Sequence, residues 1–132
     1  MKFELDDLEK PWTWPEDHFD FIHSRTVMNG IRDWSKYIKQ MFTHTKPGGY
    51  VEIQEWGMKK LFSNDGTADG DSALSEYWRR YPECARKAGL SLPDGDEIRD
   101  ALEKAGFVDI NVTTMQVPCQ YTPCYHCAVY ID

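Results

Sequence analysis

The densest group of residues that can do chemistry lies near the end of the chain. Cys119, Cys124, His126 and Cys127 place four potential zinc ligands within nine residues. A compact zinc site needs paired ligand knuckles with a longer loop between them. A Cys-x-x-Cys redox motif needs a strand-to-helix setting that this stretch lacks. We therefore interpret these thiols as part of a strand and predict no metal site.

Tryptophan is the second residue type that can build a ligand site, because its broad ring stacks on planar molecules. Five tryptophans can line an aromatic substrate pocket: Trp12, Trp14, Trp34, Trp56 and Trp78. Trp34 falls on the apolar stripe of a predicted helix, so a role in the core is the simpler interpretation for it. Trp12 and Trp14 lie on a loop bracketed by Pro11 and Pro15, which favours contact with a substrate or partner.

The bulk composition limits the classes of function. The 132 residues are enough for one domain, and the hydrophobic fraction of 41% is ordinary for a globular protein. A net charge of −7 argues against a protein that neutralises nucleic-acid phosphates or binds an anionic membrane surface. The sequence has no apolar run near 18 residues and no secretory signal. We expect an intracellular protein, cytoplasmic or nuclear, whose partners are small molecules or another protein.

The elements that must position these residues follow from periodicity. Residues 19–22 read as a short buried strand, and residues 31–42 repeat apolar side chains at helical spacing. The turn at residues 46–49, Lys-Pro-Gly-Gly, is predicted to end that helix. Residues 50–56 then alternate with a period of two, which predicts a strand.

The second half of the sequence predicts two further helices and two further strands. Residues 72–88 are helical in composition, with Pro82 expected to kink or split the helix. Asp94 and Glu97 form a capping box for the next helix, and Gly106 ends it. Residues 108–113 and 125–131 are predicted strands. The order of elements predicts an α/β layered fold with a mainly parallel sheet.

Three segments taken together resemble the class I S-adenosylmethionine (SAM) dependent methyltransferases, most closely the fungal LaeA-type branch linked to secondary metabolism. They read FELDDLEKPWTWP at residues 3–15, FDFIHSR with IRDW at residues 19–34, and KPGGYVEIQE at residues 46–55. The resemblance continues through AGFV at residues 105–108 and covers about residues 3 to 118. The order and spacing of the set carry it, since the Lys-Pro-Gly-Gly turn alone is a weak signal.

The resemblance implies a partial Rossmann-like fold. On the family's strand order 3-2-1-4-5-7-6, residues 3–5 match strand three, 19–22 strand four, 50–56 strand five and 107–113 strand six. Residues 125–131 match an antiparallel strand seven. Strands one and two are missing. The family's glycine-rich loop and its ribose-binding acidic residue are then expected upstream of Met1, outside this sequence.

The resemblance also assigns cofactor-binding residues. Asp6 or Asp7 would accept a hydrogen bond from the adenine amino group of SAM, and Leu8 would pack on the adenine ring. Three further residues would lie at the carboxyl end of strand four, where open α/β sheets bind ligands: His23, Ser24 and Arg25. The alternative interpretations are a solvated turn at Asp6 and Asp7, and loop or capping roles at the end of strand four.

The resemblance implies substrate contacts for Glu55 and Trp56, at the end of strand five, and the Pro-flanked loop makes Trp12 and Trp14 candidate substrate contacts too. Methyl transfer depends mainly on positioning and in-line approach, so no obligatory catalytic base is predicted.

The sequence thus predicts one truncated methyltransferase domain over residues 1–132. Residues 1–15 would be loosely held, or another chain would complete the sheet; residues 16–118 form the core, and 119–132 a divergent tail. Whether the chain is an active enzyme stays open. The first hypothesis is methyl transfer from SAM to a small-molecule acceptor, plausible in fungal secondary metabolite biosynthesis, with the chain inactive alone. The second is a non-catalytic interaction or regulatory module of a LaeA-like complex, binding a protein or a second copy through the edge of strand four.

Overall fold

A computed structural model of the chain describes residues 3–57, 72–118 and 125–131, with side chains described up to residue 115. Along these residues the order is strand, short 3-10 helix, helix, strand, two helices and two strands. The elements are β1 Phe19–Arg25, the 3-10 helix Met28–Gly30, α1 Trp34–His44, β2 Thr45–Trp56, α2 Ala73–Lys87, α3 Gly95–Ala105, β3 Val112–Pro118 and β4 Tyr125–Ile131.

The sheet has the strand order β1-β2-β4-β3. β1 pairs with β2 in parallel, whereas β4 is antiparallel to both β2 and β3. Three strands therefore share one direction, and the last strand runs against them. The predicted antiparallel strand at residues 125–131 is confirmed, and the order matches strands four, five, seven and six of the implied template.

Helix α1 begins three residues later than its apolar stripe suggests. The side chain of Asp33 accepts a hydrogen bond of 2.9 Å from the backbone N–H of Lys36 and caps the helix at its first turn. Ile31 is buried ahead of the helix, packed in the core with Met28. The local cap, and not the start of the apolar pattern, sets where the helix begins.

The end of α1 and the start of β2 differ from the prediction. β2 begins at Thr45, directly after the helix, and the predicted turn residues 46–49 already belong to it. The pairing with β1 explains the early start: Thr45 lies opposite Phe19, and Lys46 Nζ contacts the Asp20 carboxylate at 2.8 Å. A register shift between Phe19 and Phe21 absorbs the glycine turn.

Helices α2 and α3 are close to their predicted spans. Ser72 caps α2, which continues through Pro82 without the predicted split. Asp94 and Glu97 form the predicted capping box of α3. Gly106 ends α3 in the left-handed conformation at φ 115°, as expected for a C-terminal glycine.

The predicted strand at residues 108–113 is displaced. β3 begins at Val112 and continues to Pro118, and Val108 is exposed. Asp109 adopts a positive φ of 57°, which an extended strand cannot contain. The alternation of apolar and polar residues at 108–113 therefore begins inside a turn at Asp109, and the strand starts only after that turn, at Val112.

One face of the sheet carries the core. Ile22, Ser24, Val51, Ile53 and Glu55 point to this face, where α1 and α3 pack on the strands. The buried core residues are Met28, Ile31, Trp34, Tyr37, Ile38, Met41, Ile53, Ile98 and Leu102. The alternate residues of β1 and β2 point to the opposite face, where Phe21 and Tyr50 lie directly opposite each other and are 54% and 74% exposed.

The predicted strand at residues 3–5 is not a strand. Phe3 and Leu5 are exposed, and no described strand lies beside them to accept their backbone hydrogen bonds. Leu8 and Trp12 are the residues of this segment that pack against the core cluster. No helix within residues 3–57, 72–118 and 125–131 is long and apolar enough to cross a lipid bilayer.

Candidate functional site

The parallel strands β1 and β2 end side by side, with Arg25 opposite Gln54. In open α/β sheets, ligands bind in the crevice outside the carboxyl ends of such strands. The chain turns sharply after β1: Thr26 has a positive φ of 55°, and its backbone N–H donates to the Gln54 carbonyl oxygen at 2.9 Å. We refer to this region, residues 25–30 with residues 54–56, as the carboxyl edge.

Glu55 organises the carboxyl edge. The side chain points to the core face and is only 3% exposed. Its Oε1 accepts hydrogen bonds from the backbone N–H groups of Val27 at 2.6 Å and Met28 at 3.2 Å. Oε1 therefore satisfies two donors at the start of the 3-10 helix and fixes the path of the chain after β1.

The electrostatics of Glu55 are those of a buried acid. Burial raises the pKa of its carboxyl, and the N–H groups of Val27, Met28 and Trp56 oppose that rise. Oε2 is buried and has no hydrogen-bond partner among the described residues. Buried carboxyl oxygens normally have a partner, so this atom is a ready acceptor for a donor at the edge or, once protonated, a donor itself.

The predicted cofactor residues of β1 separate onto two faces. Ser24 is buried, and its Oγ accepts a hydrogen bond of 3.1 Å from the hydroxyl of Tyr37. His23 and Arg25 lie on the exposed face, where His23 Nδ1 contacts Glu52 Oε2 at 2.6 Å. Gln54 first and His23 second lower the pKa of Glu52 by hydrogen bonding. The structure thus gives structural partners to Ser24 and His23, and their predicted cofactor contacts stay predictions.

Asp6 and Asp7 lie next to the start of α1, at the same end of the sheet. Glu9 holds the segment there, since its carboxylate accepts from the Arg32 backbone N–H at 2.7 Å and from the Arg32 guanidinium at 2.9 Å. These bonds, the backbone one first, lower the pKa of Glu9. Asp6 and Asp7 are exposed, and each accepts one backbone N–H within the turn. This is the geometry of a solvated turn that still presents carboxylate oxygens outward.

Leu8 lies between this turn and the core. Its side chain packs against the core cluster, and its carbonyl oxygen accepts from Trp12 Nε1 at 3.3 Å and Gln40 Nε2 at 3.0 Å. The predicted packing of Leu8 on an adenine ring stays a prediction.

Trp12 and Trp14 lie away from the carboxyl edge. Their rings meet edge to face at 5.8 Å, and Trp12 also packs on Tyr37 and on His44 at the far end of α1. An open cleft of about 360 Å³ separates their loop from the outer side of α1. The structure therefore does not bring them together with Glu55 and Trp56, and their predicted substrate contacts stay predictions.

One feature of the edge was missed at the sequence level. The hydroxyl of Tyr81, in the middle of α2, donates to Asn29 Oδ1 at 2.6 Å. Asn29 follows Met28 in the 3-10 helix, so this bond fixes α2 to the carboxyl edge. Tyr81 also contacts the rings of Tyr77 and Trp78. The helical spacing of Tyr77, Trp78 and Tyr81 indicates an aromatic face on α2. It does not indicate that this face lies beside Asn29.

Comparison with known proteins identifies the family. Residues 1–112 match the family described as a methyltransferase domain. The chain belongs to this family. A methyltransferase from Aspergillus terreus, pytC, is 30% identical over 118 residues, which are 89% of this chain and 36% of pytC. The secondary metabolism regulator LAE1 of Cochliobolus heterostrophus is 32% identical over 118 residues, which are 89% of this chain and 38% of LAE1.

Solved methyltransferases share the fold. Phosphoethanolamine N-methyltransferase 2 of Haemonchus contortus, in complex with phosphomonomethylethanolamine and S-adenosylhomocysteine, is similar with a TM-score of 0.64 and 18% identity. It covers 96% of this chain, which spans 35% of the nematode protein. A SAM-dependent methyltransferase of Thermotoga maritima gives a TM-score of 0.64 and 19% identity over 94% of this chain and 58% of its own. The partial Rossmann-like class I fold is therefore confirmed, and this methyltransferase chain spans well under half the length of the curated relatives above.

SAM is the cofactor of the family, so the described residues of this chain can be compared with the groups that SAM presents. Asp6 and Asp7 present exposed carboxylate oxygens suited to amino and hydroxyl groups. A glycine cradle is not found at the carboxyl edge of the described residues: a side chain on Gly30 would meet nothing within 4 Å. The one close backbone approach by a glycine, Gly49 with Asp20, lies at the opposite end of the strands. The exposed carboxylates of Asp6 and Asp7 suit the hydroxyl and amino groups of adenosine, and their contact with SAM stays a prediction.

The structure leaves the chemistry of the cysteine-rich tail untested. Cys119 and Cys124 lie outside the described residues, and for His126 and Cys127 only the backbone is described, within β4. Within the described part of the chain no three His, Cys, Asp or Glu side chains are grouped so that they could hold a metal ion.

Proposed function

We propose that this chain forms the part of a SAM-dependent methyltransferase that carries strands four to seven, and that it acts on a small-molecule acceptor in fungal secondary metabolism. The observation that carries the proposal is the carboxyl edge, fixed by Glu55 in a chain of the methyltransferase family. The relatives pytC and LAE1 support the metabolic setting, since their names denote a methyltransferase and a secondary metabolism regulator.

The residues of this chain would act by binding and orienting. Asp6 and Asp7 would accept hydrogen bonds from the adenosine half of SAM, and the turn after β1 would form the floor beside the reacting groups. Glu55 would hold that turn rigid, which matters because methyl transfer needs in-line approach. The cofactor itself supplies the activated methyl group when bound.

We propose a role in binding and orienting SAM and the acceptor, and not methyl transfer by these 132 residues alone. The described residues supply acceptors for the adenosine half, and a glycine cradle for the methionine half is not among them. We therefore expect the chain alone to bind SAM weakly, with a Kd near ~1 mM.

Calorimetric titration of the purified chain with SAM tests the proposal. Asp7→Asn should weaken binding roughly tenfold by removing a charge-assisted hydrogen bond. Asp109→Asn is the matched control, because Asp109 is an exposed acid at the opposite end of the sheet and its positive φ suits asparagine. Binding in the micromolar range would show that the chain suffices without a partner. An absence of binding heat at SAM concentrations up to about 10 mM, well above the expected Kd, would remove the cofactor-binding role from this chain.

A specific observation favours a second candidate function, a non-catalytic interaction module. Among the described strands β1 pairs only with β2, and the sheet face beside it exposes Phe21 and Tyr50. Parallel sheets are normally covered on both faces. A protein that completes the sheet, or a second copy meeting it through β1, would bury this surface.

Sedimentation velocity separates the two functions. If the face of β1 is an interface between copies, Phe21→Lys should shift a self-associated chain to monomer, whereas Val108→Lys, at an exposed valine outside the strands, should not. A monomer at all concentrations for both variants and the parent chain would remove self-association, leaving a different protein as the only partner. Association that does not depend on SAM would favour the interaction module over the enzyme.

A further inference from the structure

The aromatic face of α2 carries an inference about the acceptor, and it rests on the proposed function. The rings of Tyr77, Trp78 and Tyr81 form a mutual cluster, with centroids 5.6 to 6.3 Å apart. Leu74, one turn before this cluster, is 52% exposed, and Tyr77 is 54% exposed. Residues three, four and seven apart share one side of a helix, so Leu74, Tyr77 and Tyr81 form a continuous ridge. We call these three residues with Trp78 the aromatic ridge.

The ridge lies at the carboxyl edge, and two separate contacts place it there. The first is the hydrogen bond of 2.6 Å from Tyr81 to Asn29 in the 3-10 helix. The second lies beyond the C-terminal end of α2, where Ser91 accepts a hydrogen bond of 3.2 Å from the indole N–H of Trp34 at the start of α1. The start of α1 lies at the same end of the sheet as the turn after β1. Tyr81 therefore joins the ridge to the region that Glu55 organises.

Basic side chains outnumber acidic ones on α2, four to two. Glu76 forms ion pairs with both Arg79 and Arg80, and Glu83 pairs with Lys87 at 2.8 Å. The three rings contribute two phenol hydroxyls and an indole, none of which is charged at neutral pH. These rings offer stacking and edge contacts to a flat ligand. A planar aromatic molecule is the ligand that fits them.

We propose that the aromatic ridge is the specificity-determining wall of the acceptor site, and that the acceptor is a planar aromatic compound. Its flat face stacks on Tyr77, the most exposed ring of the cluster. Trp78 and Tyr81, half-buried behind it, hold that ring in place. The acceptor's nucleophilic group points toward the strand ends, where the proposed function places the cofactor.

Titration with two matched probes tests the chemical class. 2-Naphthol is neutral and planar, and 2-decalol is its saturated, non-planar counterpart. With a ¹⁵N-labelled chain, 2-naphthol should shift the amide signals of Tyr77, Trp78 and Tyr81 in a saturable way, whereas 2-decalol should leave them unmoved at equal concentration. Equal shifts with both probes would overturn the requirement for planarity. An absence of shifts with 2-naphthol would overturn the site.

Variants at one exposed position separate stacking from folding. Tyr77→Ala should weaken 2-naphthol binding about fivefold, and Tyr77→Leu, which keeps apolar bulk without a ring, nearly as much. Tyr50→Ala is the control, because Tyr50 is an exposed tyrosine on the sheet and not on the ridge. An unchanged affinity in Tyr77→Ala, or an equal loss in Tyr50→Ala, would overturn the proposal.

Parallel titration of the same samples with SAM keeps the two proposals apart. Saturable SAM binding without 2-naphthol binding would leave the methyltransferase role intact and remove the aromatic acceptor. Binding of 2-naphthol without SAM binding would keep the ridge as an aromatic site and remove the role in methyl transfer.

Discussion

The backbone N–H of Val27 donates a hydrogen bond of 2.6 Å to Oε1 of Glu55, joining residues 28 positions apart in sequence. This bond connects the turn after β1 to the end of β2. Glu55 is the last core-facing residue of β2, and its carboxylate accepts from backbone N–H groups that no strand or helix satisfies. The carboxyl edge therefore depends on one buried acid.

The raised pKa of Glu55 predicts a specific pH dependence of stability. Because the folded chain binds this proton more tightly than the unfolded chain, the free energy of unfolding should fall as pH rises from about 4.5, the ordinary value, through the raised pKa. Glu55→Gln keeps an acceptor oxygen for Val27 and Met28 and removes the ionisable group, so that fall should be absent. Urea denaturation of both proteins at several pH values measures it.

The lowered carboxyl pKa values of Glu9, Asp20 and Glu52 act with the opposite sign, and in a window below their ordinary values. They are shared by both proteins, so the difference between parent and Glu55→Gln isolates Glu55. Parallel pH profiles above about 4.5 would contradict the assignment. Glu55→Ala, which removes the acceptor altogether, should cost about 2 kcal/mol of stability near pH 4.5, and this cost should shrink as the pH rises through the raised pKa.

The buried hydrogen bond between Tyr37 and Ser24 gives a second prediction. Tyr37→Phe should reduce the free energy of unfolding by about 1 kcal/mol, because it leaves the buried Ser24 hydroxyl without its donor. Tyr50→Phe removes a hydroxyl from an exposed tyrosine and should change stability by less than about 0.5 kcal/mol. Equal effects of the two substitutions in chemical denaturation would show that the buried bond contributes nothing.

Gly106 gives a third prediction, on the link between α3 and β3. A Cβ at this position would lie 2.8 Å from Cζ of Phe42, and the residue has a φ of 115°. Gly106→Ala should therefore lower stability by about 1–3 kcal/mol. Gly30→Ala is the control, since nothing lies within 4 Å of its Cβ position and its φ is not in the left-handed region. A thermal denaturation midpoint equally shifted in both variants would contradict this reasoning.

The first segment gives a fourth prediction, on local stability. Residues 3–7 should exchange their amide hydrogens almost freely, since this stretch forms no strand and is exposed. The Trp12 N–H, which donates to Gln40 Oε1 at 3.0 Å, should be protected. Gln40→Ala should release Trp12 without affecting Ile53 in the core. Exchange at residues 3–5 as slow as at Val51 and Ile53 would show that this segment is firmly held.

Local sequence patterns predicted the structure correctly where the interacting residues lie within about one helical turn of each other. Asp94 and Glu97 cap each other across three residues, and Gly106 ends its helix by its own backbone freedom, so both were predictable. The family resemblance added the strand order, including the antiparallel last strand. Local pattern failed at residues 108–113, because alternation of apolar residues cannot reveal the left-handed conformation of Asp109.

The candidate site was predictable in its location and not in its contacts. Alternation along β2 places Glu55 on the core face, yet its partners Val27 and Met28 become neighbours only when two parallel strands end together. In the same way, Tyr81 and Asn29 are 52 residues apart and meet only in the folded chain. The sequence by itself determined the family, the presence of three helices and the capping box of α3, because the helices and the box depend on short-range backbone geometry. Only the tertiary structure decided which polar groups are buried together, since a hydrogen-bond partner is chosen by proximity in space.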